Sequence, residues 1–182
     1  MRRLDVQIPT PDGHSNGTLH VPAGTGSWPG VLVFPDAGGS RETFRLARPE
    51  VTGSAIGITG YCLGGRMSLI AAGGLDHKIA AAASFHGGRL AVGGDPSSPH
   101  LAADRITATV YVAGATDDGS FTPEQAELLE SALTEAGVNH TLEIYPGRHG
   151  FAVPDNPTYD AEADARHWEA LHELCRAHLQ ES

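Results

Sequence analysis

The stretch Gly60-Tyr61-Cys62-Leu63-Gly64-Gly65 decides the fold, because it predicts a sharp turn between a strand and a helix. The apolar run at residues 56–60 favours a buried strand, and residues 64–72 favour a helix. A Gly-x-Cys-x-Gly turn in that context is typical of a nucleophile elbow, with cysteine in place of serine. Glycines two positions before and after Cys62 remove side chains that would collide in so tight a turn. The positive end of the following helix would favour the thiolate of Cys62.

A nucleophile of this kind needs a base and an acid that orients the base, in the chain order nucleophile, acid, histidine. Asp117 and Asp118 follow a predicted strand at residues 109–113, and His149 lies in the loop after a strand at 141–145. Open α/β sheets place their sites at these carboxyl ends of strands. Either aspartate can reach a loop histidine. Without such partners, Cys62 would be interpreted as a small buried residue in a glycine-rich turn.

Working outward from the elbow, apolar runs and turn residues predict one α/β domain over residues 1–182. An N-terminal hairpin is expected at 4–8 and 18–21, around a Pro-Asp-Gly turn. The remaining strands are predicted at 30–35, 56–60, 79–85, 109–113 and 141–145, the last of these nearer the sheet edge. The helices are predicted at 64–72, 123–136 and 160–179.

Several segments resemble the carboxymethylenebutenolidase-like dienelactone hydrolase family of the α/β-hydrolases. They are the elbow, Gly-Ala-Thr-Asp at 114–117, His-Gly-Phe at 149–151 and Phe-Pro-Asp-Ala-Gly-Gly at 34–39, while Ser-Phe-His-Gly-Gly at 84–88 is similar to the family's pocket-lining loop. The resemblance implies a three-layer α/β-hydrolase fold whose mostly parallel sheet is preceded by an antiparallel hairpin.

The resemblance also implies roles for individual residues. Cys62 would be the nucleophile, His149 the base and Asp117, in preference to Asp118, the acid that orients His149. The backbone N–H groups of Leu63 and Ala37 would form the oxyanion hole. The residues that the resemblance places at or near the pocket are Asp36, His86, Phe151 and Val153.

Three of these pocket residues have specific expectations. Asp36 matches a family carboxylate that contacts the nucleophile's thiol, but it could instead cap a helix that begins near Ser40. His86 could line the pocket or bond a loop carbonyl. Val153 stands where dienelactone-cleaving members carry an arginine that holds the substrate carboxylate, so the carboxylate clamp is expected to be absent, with Arg148 or Arg89 as the fallback cation.

The chain departs from the family between Asp36 and Ile56, where only nineteen residues intervene. The family normally has a helix, a parallel strand and a second helix there, so an apparent internal deletion lies near residues 45–46. A deletion, a segment missing from the sequence and a damaged gene would each produce this pattern. The sheet is expected to lack one strand between the hairpin and the third strand, which predicts marginal stability, dimerisation or aggregation.

Composition excludes several classes of protein. The net charge is −10, from 22 acidic and 12 basic residues with a single lysine, which argues against a nucleic-acid partner. No apolar stretch approaches the ~20 residues of a membrane helix. The two cysteines provide no disulfide framework, which favours the cytoplasm. His167, His172 and His178 lack the spacing of a metal pair, so no metal and no cofactor are predicted.

The sequence therefore predicts a hydrolase of small-molecule esters or lactones that forms an acyl-enzyme on a Cys-His-Asp triad. A small-molecule substrate is the expected partner, with the protein a monomer or a homodimer. The alternative is a catalytically weak or inactive remnant that binds a ligand or senses thiols.

Overall fold

The protein is described by a computed structural model over residues 2–10, 13–24, 28–34, 51–75 and 79–179. The strands are β1 (Arg2–Thr10), β2 (Gly13–Val21), β3 (Trp28–Phe34), β4 (Val51–Tyr61), β5 (Ile79–Phe85), β6 (Thr109–Asp117) and β7 (His140–Arg148). The helices are α1 (Leu63–Gly74), α2 (Pro123–Glu135) and α3 (Ala161–Leu179), with a 3₁₀ helix at Pro99–Arg105. The predicted strands and helices are confirmed, and β4 extends further toward its N-terminus than its apolar run suggested.

Strands β3 to β7 form one sheet in the order β3-β4-β5-β6-β7, and every neighbouring pair is parallel. Strand β7 lies at one edge, as predicted. Because all five strands run the same way, the carboxyl ends of β4, β5, β6 and β7 meet along one edge of the sheet. This geometry brings the elbow and the loops after the other strands together.

The helices cover both faces of this sheet, which confirms the three-layer α/β-hydrolase architecture. Strand β5 shows the division clearly, because its alternate residues face opposite ways. Ala82 belongs to the core beneath α1 and α2, which includes Leu69 and Leu129. Ala83 and Phe85 belong to the core beneath α3. Ala81, Ala82 and Ala83 of β5 are all buried, although their side chains alternate between the two faces of the sheet.

The N-terminal hairpin forms a sheet of its own. Strands β1 and β2 pair antiparallel, and their buried Val6, Leu19 and Val21 pack with Trp28 of β3. Among the described residues, β3 is hydrogen-bonded to β4 alone. The expectation that the sheet lacks a strand between the hairpin and β3 stays a prediction. The predictions for Asp36, Ala37, the helix near Ser40 and the join at 45–46 lie outside the described residues.

Candidate active site

Cys62 occupies a strained turn between β4 and α1. Its backbone has φ 54° and ψ −118°, values that a residue with a side chain rarely adopts. Its N–H donates to the carbonyl of Phe85, over 3.1 Å. A Cβ on Gly60 would lie 2.0 Å from the carbonyl oxygen of Gly64, so a glycine is required there. The predicted elbow geometry is therefore present in the fold.

Helix α1 begins directly behind the cysteine. The carbonyl of Cys62 accepts hydrogen bonds from the N–H groups of Gly65 at 3.0 Å and Arg66 at 3.3 Å. The N–H groups of the first helical residues, Leu63 among them, have no partner within a helix. They and the helix dipole provide positive potential beside the thiol. This arrangement is suited to a thiolate and to a developing oxyanion.

The structure corrects the expected acid, because Asp118 and not Asp117 contacts His149. The Asp118 Oδ2 atom lies 2.7 Å from His149 Nδ1, and its side chain is 1% exposed. Asp117 is the last residue of β6, and it pairs across the strand register with Arg148 of β7. Its carboxylate lies 3.0 Å from Nε of Arg148, with the side chain 72% exposed. Asp118 follows the strand end, where the chain turns inward toward His149.

The charges of Asp118, His149 and Cys62 are coupled. The hydrogen bond with Asp118, followed by one with the Cys62 side chain, raises the pKa of His149 to about 10. Burial by itself would raise the pKa of Asp118, but hydrogen bonds from His149 and Ser120 outweigh it and lower that pKa. His149 is therefore an imidazolium at neutral pH. Since Nδ1 faces Asp118, Nε2 is the nitrogen left to contact Cys62.

Ser120 supports the same carboxylate and was missed by the sequence reasoning. Its hydroxyl and its backbone N–H both donate to Oδ1 of Asp118, over 2.6 and 2.8 Å. The hydroxyl also lies 3.2 Å from Nδ1 of His149. The signal was available, because Asp followed two residues later by Ser is a common side-chain-to-backbone turn. Such a turn at 118–120 would have favoured Asp118 as the ordered acid.

His86 lies beneath His149 and is buried in the core. Its ring centroid is 5.3 Å from that of His149 and 5.0 Å from that of Phe151. The side chain is 0% exposed, and among the described residues neither ring nitrogen has a partner in hydrogen-bond geometry. The hydrogen bond to a loop carbonyl that the sequence analysis allowed for His86 therefore stays a prediction. Its backbone is also strained, with φ 39°. Burial, and after it the neighbouring His149, lower its pKa to about 3.

Phe151 and Val153 follow His149 in the same loop. Phe151 is 0% exposed and packs against His86 and Tyr145, so its ring belongs to the core beneath α3. Val153 is half-buried, and its N–H donates to the carbonyl of Gly150 over 3.1 Å. Asp36 and Ala37, expected near the thiol and in the oxyanion hole, lie outside the described residues.

The two fallback cations of the sequence analysis are both engaged with carboxylates. Arg148 pairs with Asp117, as described above. Arg89 pairs with Asp95, whose Oδ2 lies 3.3 Å from it. Asp95 also accepts from Arg66, at 3.4 Å, so its charge is shared between two guanidinium groups. Neither Arg89 nor Arg148 is placed as an unpaired partner for a substrate carboxylate.

Within the described ranges, no group of three or more metal-ligating side chains comes together. The described helices also include none that is both long enough and apolar enough to cross a membrane. Cys175 is half-buried on α3, and burial raises the pKa of its thiol. Cys62, at the elbow, is thus the cysteine placed for chemistry.

The fold and site are those of an α/β-hydrolase. The sequence profile of the dienelactone hydrolase family matches residues 44–179, and the chain belongs to that family. A protein of Synechocystis sp. named "Putative carboxymethylenebutenolidase" is 32% identical over 135 residues, which are 72% of this chain and 54% of the relative. The chain therefore spans about half the length of the curated relative that it matches.

Solved structures share the fold over nearly the whole chain. A crystal structure titled "Putative Dienelactone Hydrolase", from Klebsiella pneumoniae, has a TM-score of 0.83 at 17% identity and covers 95% of this chain and 97% of its own. A dienelactone hydrolase-like promiscuous phosphotriesterase from metagenomic libraries has a TM-score of 0.82 at 22% identity, with 98% and 99% covered. At these identities the likeness is one of fold.

Proposed function

We propose that this protein hydrolyses small-molecule esters or lactones, with Cys62 as the nucleophile, His149 as the acid–base group and Asp118 as its orienting acid. One observation carries the proposal: the strained cysteine of the elbow is hydrogen-bonded to a histidine whose other nitrogen lies 2.7 Å from a buried carboxylate. A nucleophile, a base within reach and a group that orients the base are the parts of nucleophilic catalysis. Family membership supports the same class of reaction.

The first half of the reaction forms a thioester. The Cys62 thiolate attacks the acyl carbon, and the carbonyl oxygen takes up the negative charge beside the N–H of Leu63. When the tetrahedral intermediate collapses, the bond to the leaving oxygen breaks. The His149 imidazolium then gives its Nε2 proton to that oxygen, which leaves as an alcohol, or as the hydroxyl end of an opened lactone.

The second half regenerates the enzyme. Neutral His149 takes a proton from water as the water attacks the thioester carbon. Collapse of this second intermediate releases the carboxylic acid and returns Cys62 to the thiolate paired with imidazolium. Asp118 remains ionised throughout, because hydrogen bonds from His149 and Ser120 hold its pKa low. It keeps the Nδ1 proton in place and so directs Nε2 toward the cysteine.

We infer a preference for neutral acyl groups. Val153 offers no charge, and Arg148 and Arg89 are each held by a carboxylate. Burying a substrate carboxylate without a cation is costly. We also place this chemistry in the cytoplasm, since Cys62 and Cys175 form no disulfide in the part of the chain that the structure describes.

Rapid-mixing kinetics with p-nitrophenyl acetate test the proposal. We expect a burst of p-nitrophenol stoichiometric with the protein, followed by steady turnover, and an acetyl group on Cys62 in acid-quenched samples. Cys62→Ala should abolish burst and turnover, and Cys62→Ser should retain little of either. Cys175→Ala is the matched control, because it removes the other thiol and should leave the rate unchanged. Alkylation of Cys62 without ester turnover would instead favour the thiol-sensing alternative.

A further inference from the structure

A second hydrogen-bonded row of side chains begins at Tyr61, immediately before the nucleophile. The Tyr61 hydroxyl lies 2.7 Å from Nε2 of His167 on α3. Nδ1 of His167 lies 3.1 Å from Oδ1 of Asp164, one turn earlier on the same helix. His167 is 1% exposed, so these contacts are made in the core beneath α3. From the sequence, His167 is notable only as one of three histidines on the last helix whose spacing does not suit a metal-ligand pair.

The protonation states of this row follow from its contacts. The Asp164 carboxylate can only accept, so Nδ1 of His167 carries a proton and donates it. Burial lowers the pKa of His167, so its imidazole is neutral and Nε2 is an acceptor. Burial likewise raises the pKa of Tyr61, whose hydroxyl therefore keeps its proton and donates to Nε2. Hydrogen bonds therefore run in two directions from His167: it accepts at Nε2 from Tyr61 and donates at Nδ1 to Asp164.

The row is attached to the strained turn, because Tyr61 directly precedes Cys62 in the chain. A residue held at φ 54° is strained, and it persists only where its surroundings fix it. On one side of Cys62, its carbonyl accepts hydrogen bonds from N–H groups in the first turn of α1, and its own N–H donates to the carbonyl of Phe85. On the other side, Tyr61 is fixed by its ring and its hydroxyl. The ring stacks on Phe85 at 5.9 Å, and the hydroxyl bonds His167.

We propose that Tyr61 and His167 are positioning residues, which hold the turn at Cys62 so that the thiol stays aligned with His149. The C-terminal helix α3 thereby takes part in setting the reactivity of the nucleophile from the opposite face of the sheet. The proposal rests on Cys62 being the reactive thiol of the proposed function. It adds that the alignment of this thiol depends on a hydrogen bond that never touches the substrate.

The test measures alkylation of Cys62 by iodoacetamide, in a Cys175→Ala background, as a function of pH. Alkylation requires a reactive thiol but no ester turnover, so it separates this proposal from the hydrolase assignment. Tyr61→Phe keeps the stacked ring and removes only the hydroxyl. We expect its alkylation rate at pH 7 to fall about tenfold to a hundredfold, since displacements on the order of 1 Å have effects of that size. The pH midpoint of alkylation should also rise.

A double variant distinguishes positioning from simple stability. Tyr61→Phe leaves Nε2 of His167 without its donor, and His167→Phe leaves the Tyr61 hydroxyl without its acceptor. The two changes together remove both of these buried polar atoms. Asp164, which loses the contact with His167 Nδ1, is partly exposed and keeps its hydrogen bond from the Tyr159 hydroxyl. The double variant should therefore regain thermal stability but not the alkylation rate. His167→Gln provides an amide oxygen that can accept from Tyr61, and it should restore part of the rate.

Tyr111→Phe is the matched control. Its hydroxyl bonds Glu143 at 2.5 Å and Tyr145 at 2.8 Å on the same face of the sheet, away from the elbow. It should lower stability without changing alkylation of Cys62. If Tyr61→Phe alkylates at the rate of the parent, or if the double variant recovers rate together with stability, Tyr61 and His167 serve only to dock α3 and the proposal is wrong. If the parent protein is alkylated at Cys62 but hydrolyses no ester, the proposed function is wrong, whereas the comparison of alkylation rates still tests the positioning role.

Discussion

Asp118 Oδ2 lies 2.7 Å from Nδ1 of His149, whereas the neighbouring Asp117 is turned to solvent against Arg148. Two adjacent carboxylates therefore have separate tasks. Asp118 is buried in contact with the imidazole of His149, while Asp117 forms an exposed ion pair of a kind that contributes little to stability. The assignment is decided by which side chain turns into the protein after β6 ends.

The two aspartates should respond very differently to the loss of charge. Asp118→Asn should lower kcat/KM for a neutral ester by about 10²–10⁴-fold, because the amide no longer holds His149 in the required protonation and orientation. Asp117→Asn should stay within about twofold of the parent. Steady-state ester hydrolysis at pH 7 measures both. A larger loss in Asp117→Asn than in Asp118→Asn would return the acid to the position that the family resemblance indicated.

Ser120 should matter through Asp118. Ser120→Ala removes the hydroxyl that donates to Oδ1 over 2.6 Å, and hydrogen bonds to charged groups contribute about 1.5–3 kcal/mol. We expect kcat to fall roughly tenfold or more, and the pKa of Asp118 to rise from its lowered value. A pH–rate profile should show activity lost at a higher pH on the acid side than in the parent.

A second change tests the same contact from the opposite side. A Cβ on Gly88 would lie 2.7 Å from Oγ of Ser120, so Gly88→Ala should displace the hydroxyl and reproduce part of the effect. Gly93→Ala is the control, because a Cβ there meets nothing within 4 Å. If both Ser120→Ala and Gly88→Ala lose activity at the same acidic pH as the parent, Asp118 keeps its position and its low pKa without Ser120.

His86 makes folding sensitive to acid. Its pKa is lowered to about 3 in the folded protein, against 6.5 as its ordinary value, so between these pH values the unfolded chain binds a proton that the folded chain does not. Stability must then fall as the pH falls from 6.5 toward 3. The contribution of this one group is about 1.4 kcal/mol per pH unit within that window. Above pH 6.5 it vanishes, because His86 is neutral in both states.

Urea unfolding at several pH values isolates this effect. In His86→Leu, the free energy of unfolding should fall less steeply between pH 6 and pH 4 than in the parent, by roughly 1.4 kcal/mol per pH unit. A packing change at this site shifts the whole curve but not its slope. His172→Leu, at an exposed position on α3, is the matched control. Parallel curves for His86→Leu and the parent would mean that His86 is protonated in the folded protein.

Substrate charge should decide specificity. We expect a neutral ester or lactone to be hydrolysed with a higher kcat/KM than a dienelactone that bears a carboxylate, since Val153 cannot pair with the anion. The net charge of −10 should further slow the approach of anions at low salt. Val153→Arg should narrow the gap between the two substrates, and Val153→Leu is the uncharged control. A preference of the parent for the anionic dienelactone would show that another cation, Arg148 or Arg89, leaves its carboxylate partner to bind it.

Much of the fold could be predicted from local patterns. The elbow at residues 60–65 and the strands and helices of the layers each depend on residues close together in the chain. The order of nucleophile, acid and histidine can be read directly along the sequence. The periods of strands and helices lie in the same short segments whose structure they predict. The same is true of the elbow glycines, which stand where a Cβ would collide. The edge position of β7 followed from its alternating pattern, as partly exposed strands show.

The sequence by itself determined that Cys62 would sit at a strand–turn–helix and that a histidine and an aspartate would follow at strand ends. Only the tertiary structure decided that Asp118 faces His149, that the ring of His86 is buried between those of His149 and Phe151, and that His167 bonds Tyr61. The physical reason is the same in each case. The direction of a side chain beyond a strand end, or across a helix interface, depends on which distant element packs there, and no local period of the sequence records that choice.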